Sequence, residues 1–183
     1  MQRGAEFLRS QVANVVILHR AFAQALEDHE AQAKDQRFRD LCSSFIPKAR
    51  EHQRLLEDYQ RTLAPAESVM RKGEEIARRA AGMAIGVARD FADVVRDDDF
   101  LKLVGDIALA RQTEDAFKTF REAGRALNLQ QLAHIGEIGE RHHDEFVKEA
   151  NRLAQRMFVE RVQGAEAPPI RASEQPVTGA QSS

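Results

Sequence analysis

The feature that most constrains this chain is a helical spacing of apolar residues that continues along most of its length. In residues 5–34 the apolar side chains recur at steps of three, four or seven, which places them on one stripe of a helix. This stripe consists of Leu8, Val12, Val15, Phe22 and Leu26. No segment alternates between apolar and polar residues for long enough to indicate a strand. The pattern therefore predicts an all-α protein.

Five stretches carry this spacing, and polar or proline-containing breaks separate them. They are residues 5–34, 36–64, 67–95, 99–126 and 129–162. The connection around Lys34–Asp35 is short, so the first two helices should be antiparallel neighbours. We expect Asp35 to cap the second helix, and Asp98 or Asp99 to cap the helix that begins near residue 99. Gly124 and Asn128 mark the end of that helix.

One proline falls inside a predicted helix. Pro47 lies within the 36–64 stretch, where it removes a backbone hydrogen bond and clashes with the preceding turn. We therefore expect a kink or a break near Ser43–Ser44.

The order of these stretches predicts two helical hairpins joined by a long connection. The expected architecture is an antiparallel four-helix bundle over residues 1–163, with an extra helix at 67–95 in the connection. Residues 164–183 consist largely of Ala, Pro, Ser, Gly and Gln, which cannot bury a core. We expect them to form a flexible tail.

Charge and composition exclude several classes of protein. The net charge is −2, with 27 basic and 29 acidic residues, which excludes the generally basic surface that binds nucleic acid. The single cysteine, Cys42, excludes an internal disulfide and fits a reducing compartment. No apolar run is long enough to span a membrane, and the N-terminus lacks the pattern of a signal peptide. We expect a cytoplasmic protein whose 67–95 helix forms a homodimer contact rather than touching a membrane.

Polar side chains interrupt the apolar stripes near the middle of four helices. They are His19 in the first, Lys48 and His52 in the second, Glu114 in the 99–126 stretch, and His142 in the last, with His143 beside it. Midpoints of antiparallel helices come to similar heights, so we expect one polar layer in the core. Imidazole and carboxylate groups in a dry bundle core are suitable ligands for a transition metal. Alternatively, Lys48 and Glu114 form a buried ion pair, with His19 and His142 hydrogen-bonded around it.

Four segments carry a resemblance to a known family. Residues 18–26, 48–55, 110–117 and 140–144 are spaced as in the ferritin-like superfamily, and the chain resembles the YciF-like bacterial stress-response proteins over roughly 5–160. The resemblance implies a ferritin-like bundle with a mid-bundle metal site and a stress-related role. Ferritin-like di-iron sites use one Glu from each of two helices and Glu-x-x-His from each of the others.

This sequence departs from the di-iron pattern in two of the four helices. Glu140-x-x-His143 is its only Glu-x-x-His motif, and Glu114 matches one single-Glu helix. His19 stands where the first helix should supply a Glu, and Lys48 occupies an expected ligand position in the second. The resemblance therefore implies a remodelled site rather than an intact di-iron oxidase.

These observations predict a metal-binding protein rather than an enzyme. The predicted ligands are His19, His52, Glu114, Glu140, His142 and His143, with iron, manganese or zinc as the metal. The alternative is a metal-free structural or interaction protein that forms a homodimer.

Overall fold

The computed structural model describes residues 2–63 and 98–164, and these two ranges form four α-helices and no strand. The helices are α1 (Gln2–Gln32), α2 (Gln36–Thr62), α3 (Asp99–Ala126) and α4 (Gln130–Gly164). The prediction of an all-α protein is confirmed for this part of the chain. The predicted helix at 67–95 and the predicted tail after Gly164 lie outside the described residues. None of the four described helices has the length and apolar character needed to cross a membrane.

Local capping sets the beginnings of α2 and α3, as the sequence predicts. The Asp35 carboxylate accepts the backbone N–H of Arg37 at 2.8 Å, and Asp98 accepts that of Phe100 at 3.0 Å. The second candidate cap, Asp99, has a different role. Its buried carboxylate accepts the backbone N–H groups of Lys34 and Asp35 at 2.6 and 2.7 Å. This residue therefore ties the start of α3 to the turn between α1 and α2.

Of the kink or break expected near Ser43–Ser44, the break is wrong, because α2 continues through Pro47 from Gln36 to Thr62. Pro47 lies on the exposed side of the helix, whereas Phe45 and Ala49 are buried on either side of it. Burial of these neighbours holds the helical path although the proline removes one backbone bond.

The core consists of two clusters of buried apolar side chains that meet at one level of the bundle. The first contains Phe22, Leu26, Phe38, Phe45, Leu103, Ile107, Phe146 and Leu153, among others. The second contains Val12, Val15, Leu56, Phe117, Phe120, Leu132 and Ile135, among others. Along each helix, residues of one cluster are followed by residues of the other, and the boundary between them lies within 16–22 on α1, 49–56 on α2, 110–117 on α3 and 135–146 on α4. Residues in these intervals therefore share one level.

Helices α3 and α4 approach each other closely because glycines line their contact. A β-carbon on Gly136 would lie 2.6 Å from the carbonyl oxygen of Phe117, and one on Gly139 would lie 2.6 Å from Cδ2 of the Phe117 ring. A β-carbon on Gly124 would lie 2.7 Å from the Cα atom of Ala133. No side chain fits at these positions unless a backbone or a buried ring moves.

We predict that Gly136→Ala lowers the free energy of unfolding by about 2–3 kcal/mol, because the added methyl group meets the α3 backbone. Gly105→Ala is the matched control, since Gly105 lies within α3 and a β-carbon there meets no atom within 4 Å. That control should raise the free energy of unfolding by about 0.5–1 kcal/mol. Urea denaturation measures both variants, and equal effects would contradict the close approach of α3 and α4.

Candidate metal centre

Three histidines from three helices meet at the level where the two core clusters join. His19 lies on α1, His52 on α2 and His143 on α4, and each is at most 1% exposed. Each residue offers one ring nitrogen as a possible ligand, and these three nitrogens lie within 4.8 Å of one another. Three buried histidines thus lie close enough to hold one metal ion.

In each of the three rings, one nitrogen has a hydrogen-bond partner and the other has none. His19 Nδ1 lies 3.0 Å from Gln53 Oε1, and His143 Nδ1 lies 2.8 Å from the carbonyl oxygen of Gly139. Both partners are acceptors, so each Nδ1 carries the proton and each Nε2 keeps a free lone pair. His52 Nε2 lies 3.0 Å from Nδ1 of His142.

The remaining nitrogens of these rings are the ones suited to bind a metal. His19 Nε2, His52 Nδ1 and His143 Nε2 are buried without a hydrogen-bond partner. Buried polar atoms usually find a partner, so three such atoms on three neighbouring histidines require an explanation. Metal-bound histidines have this arrangement, in which an outer partner holds one ring nitrogen and the other binds the ion.

All three rings are neutral at neutral pH. Burial lowers the pKa of His19 from 6.5 to about 4, that of His143 to about 3 and that of His52 to about 2. The neighbouring histidines lower the pKa values of His52 and His143 further. Metal binding requires the neutral imidazole, so these ligands need not lose a proton first.

Aromatic rings surround the three histidines. The Phe117 ring centroid lies 5.1 Å from that of His143 and 5.7 Å from those of both His19 and His52. Phe22 lies 5.2 Å from His143 on the side of the first core cluster. Helix α3 contributes buried Thr113 at this level, and the Thr113 hydroxyl donates to the Leu109 carbonyl at 2.7 Å.

The other predicted ligands lie outside the three-histidine group. Glu140 forms an ion pair with Arg121. Glu114 is half-buried, and burial, followed by the nearby charge of Asp144, raises the pKa of its carboxyl. His142 is half-buried beside the group as the hydrogen-bond partner of His52.

The buried ion pair between Lys48 and Glu114 is not formed. Lys48 Nζ instead donates to Glu145 Oε2 at 2.8 Å, and both side chains are at least one-third exposed. Lys48, which stands at an expected ligand position in the sequence, is therefore half-buried and paired with Glu145.

Sequence reasoning missed Gln53, Gly139 and Thr113. On α3, Ala110, Thr113 and Phe117 follow one another at steps of three and four, which indicates Thr113 rather than Glu114 as the inward residue. On α4, Gly139 stands four residues before His143 and therefore shares its face. Gln53 carries no such signal, because it is an ordinary polar residue on the boundary between α1 and α2.

Comparisons of the chain with protein-family models, with curated proteins and with solved structures gave no significant match.

Proposed function

We propose that this protein binds a transition-metal ion through His19, His52 and His143 in the core of its helical bundle. One observation carries the proposal: these three buried histidines can each direct one ring nitrogen to a common point, with the three nitrogens within 4.8 Å of one another. Each of the three rings also has a buried nitrogen without a hydrogen-bond partner. Imidazole ligands suit zinc, copper, iron and nickel.

The spacing of the nitrogens fits a single ion. Three atoms within 4.8 Å of one another have a common centre no more than about 2.8 Å from each, and zinc–nitrogen bonds are about 2.0–2.1 Å long. The rings therefore need to move inward by less than about 1 Å. Among the described residues, no carboxylate joins the group, so the donor set does not match a di-iron site.

Contacts between the helices support the antiparallel, ferritin-like arrangement that we propose for the bundle. In each pair of neighbouring helices, the residue numbers of the ion-paired side chains increase along one helix and decrease along the other, as antiparallel helices require. The pairs are Arg20–Glu57 and Arg50–Glu27 between α1 and α2, and Arg121–Glu140 and Arg125–Glu137 between α3 and α4. A stress-related role and kinship with the YciF-like proteins rest on the sequence resemblance. The homodimer contact through 67–95 stays a prediction outside the described residues.

The competing function is a metal-free structural protein, and one observation favours it. Each of the three histidines already has a hydrogen bond, and each contacts the Phe117 ring. Such a layer can act as a neutral part of the core. It leaves three buried nitrogens unsatisfied, however, and each of these costs about 1–3 kcal/mol.

A metal-binding titration separates the two functions. Protein purified without a histidine tag is stripped with a chelator and titrated under calorimetry with zinc, cobalt and divalent copper ions, and under anaerobic conditions with Cu(I). We expect one ion per chain, and cobalt should give the visible absorption of a nitrogen-ligated site. His134→Ala is the control, since His134 is exposed and should leave binding unchanged. If none of these ions binds at one equivalent, the metal-free function stands.

A further inference from the structure

We infer that the three-histidine group selects monovalent copper, Cu(I), over divalent ions. This inference rests on the proposed function, because it concerns the same three residues, and it goes further by assigning the charge of the ion.

The ligands themselves bring no negative charge. They are three neutral imidazoles, and within the described ranges neither a carboxylate nor a thiolate belongs to the group. The cost of burying an ion grows with the square of its charge, so a divalent ion costs about four times as much as a monovalent one. Structural zinc sites and calcium sites usually offset this cost with thiolate or carboxylate ligands, and three-histidine zinc sites add a water molecule in the fourth position. Here the protein offers no such compensation at the ion.

Several of the charged groups beside the layer are paired with one another. Ion pairs hold Glu140 with Arg121, Glu145 with Lys48, and Glu57 with Arg20. Asp144 forms a pair with Lys148, and half-buried Glu114 lies near Asp144 with a carboxyl whose pKa is raised. These pairs reduce the negative charge that could offset a second positive charge on the ion.

The number of ligands points the same way. Helix α3 supplies no fourth ligand, because the Thr113 hydroxyl donates to Leu109 and Phe117 places its ring close to all three histidines. Zinc and cobalt prefer four ligands and must bring a water molecule into this aromatic surrounding. Cu(I) is stable with three nitrogen ligands and needs no such molecule.

Gln53 provides a way to change the charge at the site without changing a ligand. Its Oε1 atom accepts from His19, and its side chain also lines a surface depression of roughly 270 Å³ between α1 and α2. Gln53 Nε2 also donates to Glu57 Oε1 at 2.6 Å. Gln53→Glu therefore adds one negative charge in contact with a ligand, replaces the bond to Glu57 by a contact between two carboxylates, and leaves all three imidazoles in place. Gln24→Glu is the matched control, because Gln24 lines the same depression, is exposed and bonds Asp28 instead.

The test is a pair of competition titrations of metal-free protein under anaerobic conditions. Cu(I) competes with bicinchoninate, and Zn(II) competes with a chromophoric chelator. We expect the dissociation constant for Cu(I) to be at least about 100-fold lower than that for Zn(II). We expect Gln53→Glu to reduce this ratio by about tenfold or more, and Gln24→Glu to leave it unchanged.

The possible failures are distinguishable. If Zn(II) binds the wild-type protein at one equivalent as tightly as Cu(I) does, the selection of Cu(I) is wrong and the three-histidine site remains. If neither ion binds at one equivalent, the proposed function itself fails. The wild-type ratio decides the inference even where Gln53→Glu does not fold.

Discussion

Replacing His143 by leucine is expected to weaken metal binding on the order of a thousandfold or more. His143→Leu removes one of three nitrogen ligands, while a side chain of similar volume keeps the contacts with Phe22 and Phe117. Loss of an outer hydrogen-bond partner alone typically weakens metal binding ten- to a hundredfold, so loss of a ligand must cost more. Calorimetric or competition titration with the ion that binds the wild type measures the change.

Two further variants turn this prediction into a graded series. His142→Ala removes the hydrogen-bond partner of His52 without removing a ligand, and should weaken binding by about ten- to a hundredfold. His134→Ala alters an exposed histidine and should have no effect. Circular dichroism of each metal-free variant checks that the helices are retained. Wild-type affinity in His143→Leu would remove this residue from the site.

Acid is expected to destabilise the metal-free protein strongly between pH 6.5 and pH 5. The three buried histidines have pKa values near 6.5 in the unfolded chain and about 4, 2 and 3 in the folded protein. Between these values the unfolded chain binds protons that the folded protein does not, so stability rises with pH and falls on acidification. At pH 5 each histidine lowers the free energy of unfolding by about 2 kcal/mol, and the three together by up to about 6 kcal/mol.

Urea denaturation of the metal-free protein at pH 7, 6 and 5 measures this loss. The double variant His52→Leu with His143→Leu lacks two of the three groups, and should retain only about one-third of the pH dependence. His134→Ala, at an exposed position, should follow the wild type. A free energy of unfolding that changes by less than about 1 kcal/mol between pH 7 and pH 5 would show that these rings accept protons in the folded state.

Local features of the fold could be predicted because neighbouring residues determine them. The apolar spacing predicts the four described helices to within a few residues of their ends, and Asp35 and Asp98 cap α2 and α3. Asn128 follows the end of α3 with a φ of 55°, a conformation that asparagine tolerates well. Pro47 is the exception, since burial of its neighbours overrides its local effect.

The site could be predicted less well, because it depends on rotation about the helix axes. Successive residues of an α-helix are about 100° apart, so an error of one position turns a side chain away from the centre. On α3 the inward residue is Thr113 instead of the predicted Glu114. On α4 it is His143, a predicted ligand that the apolar spacing placed beside the inward stripe, whereas His142 was expected on the stripe itself. Both errors are one residue in size.

From the sequence follow the helical character of the described residues, the first residues of α2 and α3, and the histidines near the middle of three helices. Which histidines come together follows from the packing of the helices. Phe117 packs against Gly139, and Gly136 brings the α4 backbone against α3, so the rotation of α4 follows from this contact and His143 turns inward. Such a contact joins residues distant in sequence, and no spacing pattern within one helix contains it.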